Sequence, residues 1–144
     1  MINKNRKVFT LQEASALLPD LEQRLKSLQD KKEAYSRAHD ALFMHELVCA
    51  AERSNGLSNE QDDLEAGIHS LEETIEDLAK DVEEFFSLGG ILRNIDKGHV
   101  EFLGRHEGET VYFSWQLGES AIQHYRPLSS RLHERFPLSN SKNK

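Results

Sequence analysis

Apolar positions recur at helical spacing over the first two-thirds of the chain and at strand spacing over the last third. Leu21, Leu25, Leu28, Tyr35, Leu42 and Cys49 fall three, four and seven apart, which predicts a helix from Pro19 to about Arg53. The same seam turns Lys32, His39 and Glu46 inward. Leu64, Ile68, Leu71, Ile75, Leu78, Val82 and Phe85 alternate four and three apart, a heptad seam with coiled-coil character. It predicts a second helix from near Ser58, where Gln61 completes a capping box, to the break at Gly89-Gly90. Ser54-Asn55-Gly56 separates the two helices, and Asn and Gly suit the left-handed residue that closes a helix. A short connection between long helices gives an antiparallel helical hairpin.

Upstream, Thr10 and Glu13 have the spacing of a capping box, with Phe9 placed to staple onto Ala14. A short helix Leu11–Leu18 should end at Pro19, because the residue before proline is pushed out of the α region. After Gly90 the period changes. His99–Leu103 and Thr110–Trp115 are rich in β-branched and aromatic residues and flank Gly104–Glu109, which predicts a β-hairpin. Ser120–Tyr125 reads as a short helical turn, and Pro127 and Pro137 punctuate an irregular arm. Residues 1–8 and 140–144 read as disordered. The expected fold is a single mainly α, α+β domain. It is helical over 10–88, with the β-hairpin and arm over 90–138.

Two helical stripes and one hairpin make a thin core for 144 residues, so a second copy is expected to cover the remaining apolar surface. A net charge of -7 disfavours nucleic acid and anionic lipid as partners. No apolar run reaches membrane-spanning length, and the N-terminus lacks a secretory h-region. A lone cysteine, Cys49, suits a reducing compartment, and the expected location is cytoplasmic.

Candidate chemistry concentrates after Gly98. Glu101, Glu119 and His124, with His99 nearby, offer carboxylate and imidazole ligands for a divalent ion. The same groups read structurally as partners of Arg126 and Arg135, with Trp115 in the hairpin's core. A second set lies on the helices. His39, His45, Glu46, Glu65 and His69 could meet across the hairpin, although only one Glu-x3-His pair is present where di-iron bundles use two Glu-x-x-His motifs. Cys49 could be a nucleophile beside a histidine, but it sits on an apolar seam without a motif around it.

Phe9-Thr10 with Glu13-Ala14 and Leu17-Leu18-Pro19, together with Val111-Tyr112, Trp115, Leu117-Gly118-Glu119 and Arg135, resemble a bacterial family of unknown function, the one numbered 2203. That family opens on FT-x-x-EA-x-x-LLP and carries VYLCW-x-LGE near its end. The chain departs from the pattern at Glu101, where the family has Asp, and at Ser114, where it has Cys. It departs again at Tyr125-Arg126, where the family has Trp-His. An arginine in place of that histidine counts against a metal site. The resemblance implies a fold and no mechanism. With no recognised catalytic motif, the sequence points to a non-enzymatic, self-associating interaction module that engages a further protein. The alternative is a metal-binding protein or small metalloenzyme built on the Glu101, Glu119 and His124 region.

Overall fold

A computed structural model describes residues 7–57 and 61–138, with only the backbone of 61–63. The expected disorder of residues 1–6 and 140–144 and the Ser58 cap lie outside the described residues. Lys7 and Val8 are exposed, and the Lys7 ammonium lies 3.5 Å from Glu13.

The helices are α1 (Leu11–Ser54) and α2 (Gln61–Leu88). The strands are β1 (Ile91–Asn94), β2 (His99–His106), β3 (Glu109–Gln116), β4 (His124–Pro127) and β5 (Phe136–Pro137). They form one antiparallel sheet in the order β1-β2-β3-β4-β5. The α+β class therefore holds, and the sheet is larger than one hairpin. Chain contacts divide the protein into two compact units, Met1–Lys26 with Val82–Lys144, and Ser27–Asp81.

In the first unit, α1 begins on the expected capping box. The Glu13 amide donates to Thr10 Oγ1 at 3.0 Å, and the Thr10 amide donates to Glu13 Oε1 at 2.9 Å. The expected break at Pro19 is absent, and α1 runs through it. An interior proline removes a hydrogen bond and costs about 3 kcal/mol. Here Ala14, Leu18, Leu21 and Leu25 are buried on either side of it as one stripe, and that burial outweighs the loss. Phe9 joins the sheet. Its amide donates to Leu103 O at 2.7 Å, its backbone forms a parallel bridge with Gly104, and its ring meets Phe102 edge-on. At the other end, α2 closes with Gly89 at φ 103. The Gly90 amide donates to Phe85 O and the Gly89 amide to Phe86 O, the paired bonds of a Schellman cap.

The hairpin strands are longer than the sequence suggests. β2 and β3 pair from His99↔Gln116 to His106↔Glu109, leaving Glu107-Gly108 as a two-residue turn. Both residues have positive φ, 53 and 82, as a type I′ turn requires. Gly104 belongs to the strand, because the Phe113 ring fills the space where its Cβ would stand. One sheet face carries Val100, Phe102, Val111, Phe113 and Trp115, all buried, and forms the apolar core with Phe9, Leu21 and Phe85. Ser120–Tyr125 makes bends and the start of β4, with no helical turn. The arm is less irregular than expected, since it returns twice to the sheet as β4 and β5. Both strands end at a proline, as suits short strands beside a sheet edge.

The second unit is a helical pair. α1 closes at Gly56, φ 75, in the same Schellman geometry, with Leu57 N–H on Glu52 O at 2.8 Å. Leu28, Cys49 and Leu64 are buried. Gly67 lies against Leu42, so the helices approach closely there. Of the residues the sequence turns inward, His39 and Glu46 are exposed: the seam holds at Leu42 and Cys49, and the charged positions rotate to water. Lys31 reaches across to Asp81 at 2.8 Å and Asp77 at 3.6 Å.

Candidate functional site

The second face of the sheet is polar. Strand alternation puts His99 and Glu101 of β2, Tyr112, Ser114 and Gln116 of β3, and His124 and Arg126 of β4 on one side. Glu101 and Ser114 are fully buried, Arg126 is 4% exposed and His99 8%.

Glu101 is the hub. Arg126 forks onto it, Nε to Oε2 at 2.8 Å and Nη2 to Oε1 at 2.7 Å, and Arg93 Nε donates to Oε1 at 2.8 Å. Both guanidiniums also lie over the Tyr112 ring, at 4.6 and 5.1 Å. Burial pushes the Glu101 carboxyl up, but the bonds and charges of Arg126 and Arg93 together hold it below the usual carboxylate range. Arg126 Nη1 donates to Ser130 O at 3.0 Å, which ties the arm to this pair.

Arg135 makes a second hub. It forks onto Glu119, Nη1 to Oε2 at 2.8 Å and Nη2 to Oε1 at 2.9 Å, and its Nε donates to Ser114 Oγ at 3.0 Å. The Gln116 amide donates to Glu119 Oε1 at 3.0 Å. Burial raises the Glu119 carboxyl, and Arg135 with the Gln116 amide more than reverses this, leaving it lowered. Trp115 Nε1 donates to the Glu119 carbonyl at 2.9 Å, closing the turn after β3. His99 Nε2 lies 3.0 Å from Ser114 Oγ. Desolvation lowers the His99 pKa against the opposing pull of Glu101, and the charges of Arg135, Arg126 and Arg93 lower it further, which favours the neutral ring. Arg135 Nε also donates to Ser114 Oγ, so the hydroxyl is held between the guanidinium and the imidazole.

These contacts limit the chemistry. Ser114, His99 and Glu101 contain the members of a nucleophilic triad, but a relay needs the acid on the ring nitrogen opposite the serine. Here Glu101 Oε2 approaches the same Nε2, at 3.7 Å, and the serine is fully buried. Glu101, Glu119 and His124 do not form a ligand set. Each carboxylate is forked by an arginine, and Arg126 supplies a fixed cation beside Glu101. His124 Nδ1 is buried without a hydrogen-bond partner among the described residues. The helical set does not assemble either. His69 pairs with Glu73, His39 lies near Asp40, and His45 Nε2 stands 3.6 Å from the buried Cys49 sulfur. Among the described residues, no group of three or more His, Cys, Asp or Glu side chains is placed to hold a metal ion.

All seven residues singled out from sequence after Gly98 lie in this network or against it. Trp115 is on the core face and reaches it through its indole N–H. Arg93 was missed. Its signal is a charged residue in Ile91–Asn94 beside apolar Ile91 and Leu92, too short a run to read as a strand. Among the described residues, no helix is long and apolar enough to cross a membrane. No curated protein and no solved structure matches the chain. The model of the family described as "Uncharacterized conserved protein (DUF2203)" matches residues 7–138, most of the chain, on both the helical pair and the sheet. The chain belongs to that family.

Proposed function

We propose that this is a non-enzymatic cytoplasmic protein that works by self-association, two copies joining through the outer side of α1, with further protein partners engaged by the assembled dimer. One observation carries this reading. Phe43, Met44, Leu47 and Val48 are 52, 60, 51 and 56% exposed. At positions i, i+1, i+4 and i+5 they form one stripe, on the side of α1 away from Leu42 and Cys49. A contiguous apolar stripe of this kind marks an interaction surface.

The occupant that fits is a second copy in antiparallel, two-fold register. Centring the pair between Met44 and Leu47 sets each Met44 on the other copy's Leu47. It also brings Arg37 within reach of Glu52 of the second copy on the same flank, and two-fold symmetry repeats the contact. The heptad seam of α2 is less suited to such a contact, because Leu64 and Phe85 are buried within the chain and only Ile68 and Ile75 of the seam are exposed. Light scattering across micromolar concentrations should give twice the chain mass. Leu47→Asp should give the single-chain mass with unchanged helical circular dichroism, because that side chain is already exposed in the single chain. A monomer at every concentration overturns the reading.

A further inference from the structure

A cavity of about 310 Å³ lies between α1 and the turn after β3, within the first unit. Ser15, Pro19 and Glu22 form one wall, and Trp115, Glu119 and Ser120 the other. We propose that this cavity binds a small alkylammonium ion.

The lining is rich in acceptors. Pro19 has no N–H, so the Ser15 carbonyl one turn earlier loses its helical donor at the turn that walls the cavity. Glu22 adds a carboxylate, and Ser15 and Ser120 add hydroxyls that can accept. The strong donors nearby are already engaged. The Trp115 indole N–H is on the Glu119 carbonyl, and Arg135 is on the Glu119 carboxylate. With its N–H already bonded, Trp115 adds aromatic surface to the lining, and Pro19 adds an apolar ring. An ion with several N–H donors, a positive charge and a short alkyl tail matches both parts of the lining. Glu119 is neutralised by Arg135, so the carboxylate open to exchange is that of Glu22. Its other neighbour is Lys26 at 3.7 Å, with side chains 45 and 62% exposed. An exposed pair of that kind is weak and easily displaced.

Trp115 is the only tryptophan, so its fluorescence reads this cavity directly. The full chain, titrated with n-butylammonium at low ionic strength, should show a saturable change with a Kd on the order of millimolar, as suits so small a ligand. Glu22→Gln, at a half-exposed position, should weaken binding about tenfold by removing the charge partner. Lys26→Gln should tighten it about twofold by removing the competitor. Butyrate and n-butanol should give no saturable change. A butylammonium signal that fails to saturate overturns the proposal, as does equal affinity in Glu22→Gln, weaker binding in Lys26→Gln, or a saturable response to butyrate.

Discussion

The polar face of the sheet and the outer side of α1 reverse the usual placement of side chains. The sheet buries charge: Glu101 is fully buried, Arg126 nearly so, and each fork is made at 2.7–2.9 Å. The helical pair leaves Phe43, Met44, Leu47 and Val48 in water while its ion pairs lie at the surface. A buried charge is tolerated only when its partner is present, so the sheet tolerates change poorly and its network keeps one arrangement. An exposed apolar stripe costs the single chain little and gains its meaning from what covers it. The two regions should therefore respond oppositely to mutation.

The largest effect is expected at Glu101. Glu101→Ala leaves Arg126 and Arg93 without their carboxylate, and about 3–5 kcal/mol should be lost in urea unfolding. If the pair stabilises mainly by avoiding unpaired charge, Glu101→Leu combined with Arg126→Met should lose much less than either change alone. A double variant that loses as much as Glu101→Leu alone would show the fork itself to be favourable over an apolar pair, and losses that simply add would show the two side chains to be uncoupled.

Acid should act on the same face. The His99 pKa is lowered in the folded protein, so the unfolded chain binds its proton first. Its contribution is present above about pH 6.5 and is lost as pH falls below that value toward the folded pKa. The Glu101 and Glu119 pKa values are also lowered, so their contribution is present above about pH 4.3 and is lost as pH falls further. Urea midpoints should decline in two stages on acidification, and His99→Gln should remove the first stage. A flat profile between pH 7 and 5 in the parent would show His99 to be less enclosed than the structure has it.

Glu119→Gln should cost about 1.5–3 kcal/mol, since it weakens a charge-assisted fork that is about a quarter exposed. It should also release the arm, read as faster tryptic cleavage at Arg131. Thr10→Ala removes one half of the capping box and should cost about 1 kcal/mol by thermal melting. Smallest of all, Leu47→Asp should shift the stability of the single chain by no more than about 0.5 kcal/mol. A larger loss there would mean that the stripe packs within the chain.

Features set by neighbours in sequence were readable from sequence. Thr10-x-x-Glu13 requires only one turn of helix, and Gly56 and Gly89 end helices through their own φ angles. Features set by distant packing were not. Pro19 stays inside α1 because residues on both sides of it are buried, which local propensity cannot register. Gly104 looks like a turn residue until Phe113 is laid over it, and Glu107-Gly108 lacks the Asn or Asp that usually announces a type I′ turn. β4 and β5 are four and two residues long, too short for a period, and Arg126 and Arg135 anchor them by side chain. At the site, the residue types stood out before their partners did. Glu119 with Arg135 was foreseeable, whereas the Arg93–Glu101–Arg126 fork depends on strand register that the sequence does not display.

The bridge between Phe9 and Gly104 bears on how the protein is made. The sheet unit takes residues from both ends of the chain, while the helical unit is one uninterrupted stretch, Ser27–Asp81. A ribosome finishes the second well before it can supply the first with β2. Local contacts also form faster than distant ones. The helical pair should therefore exist, with its apolar stripe open to other nascent chains, while residues 7–9 still wait for a strand to join.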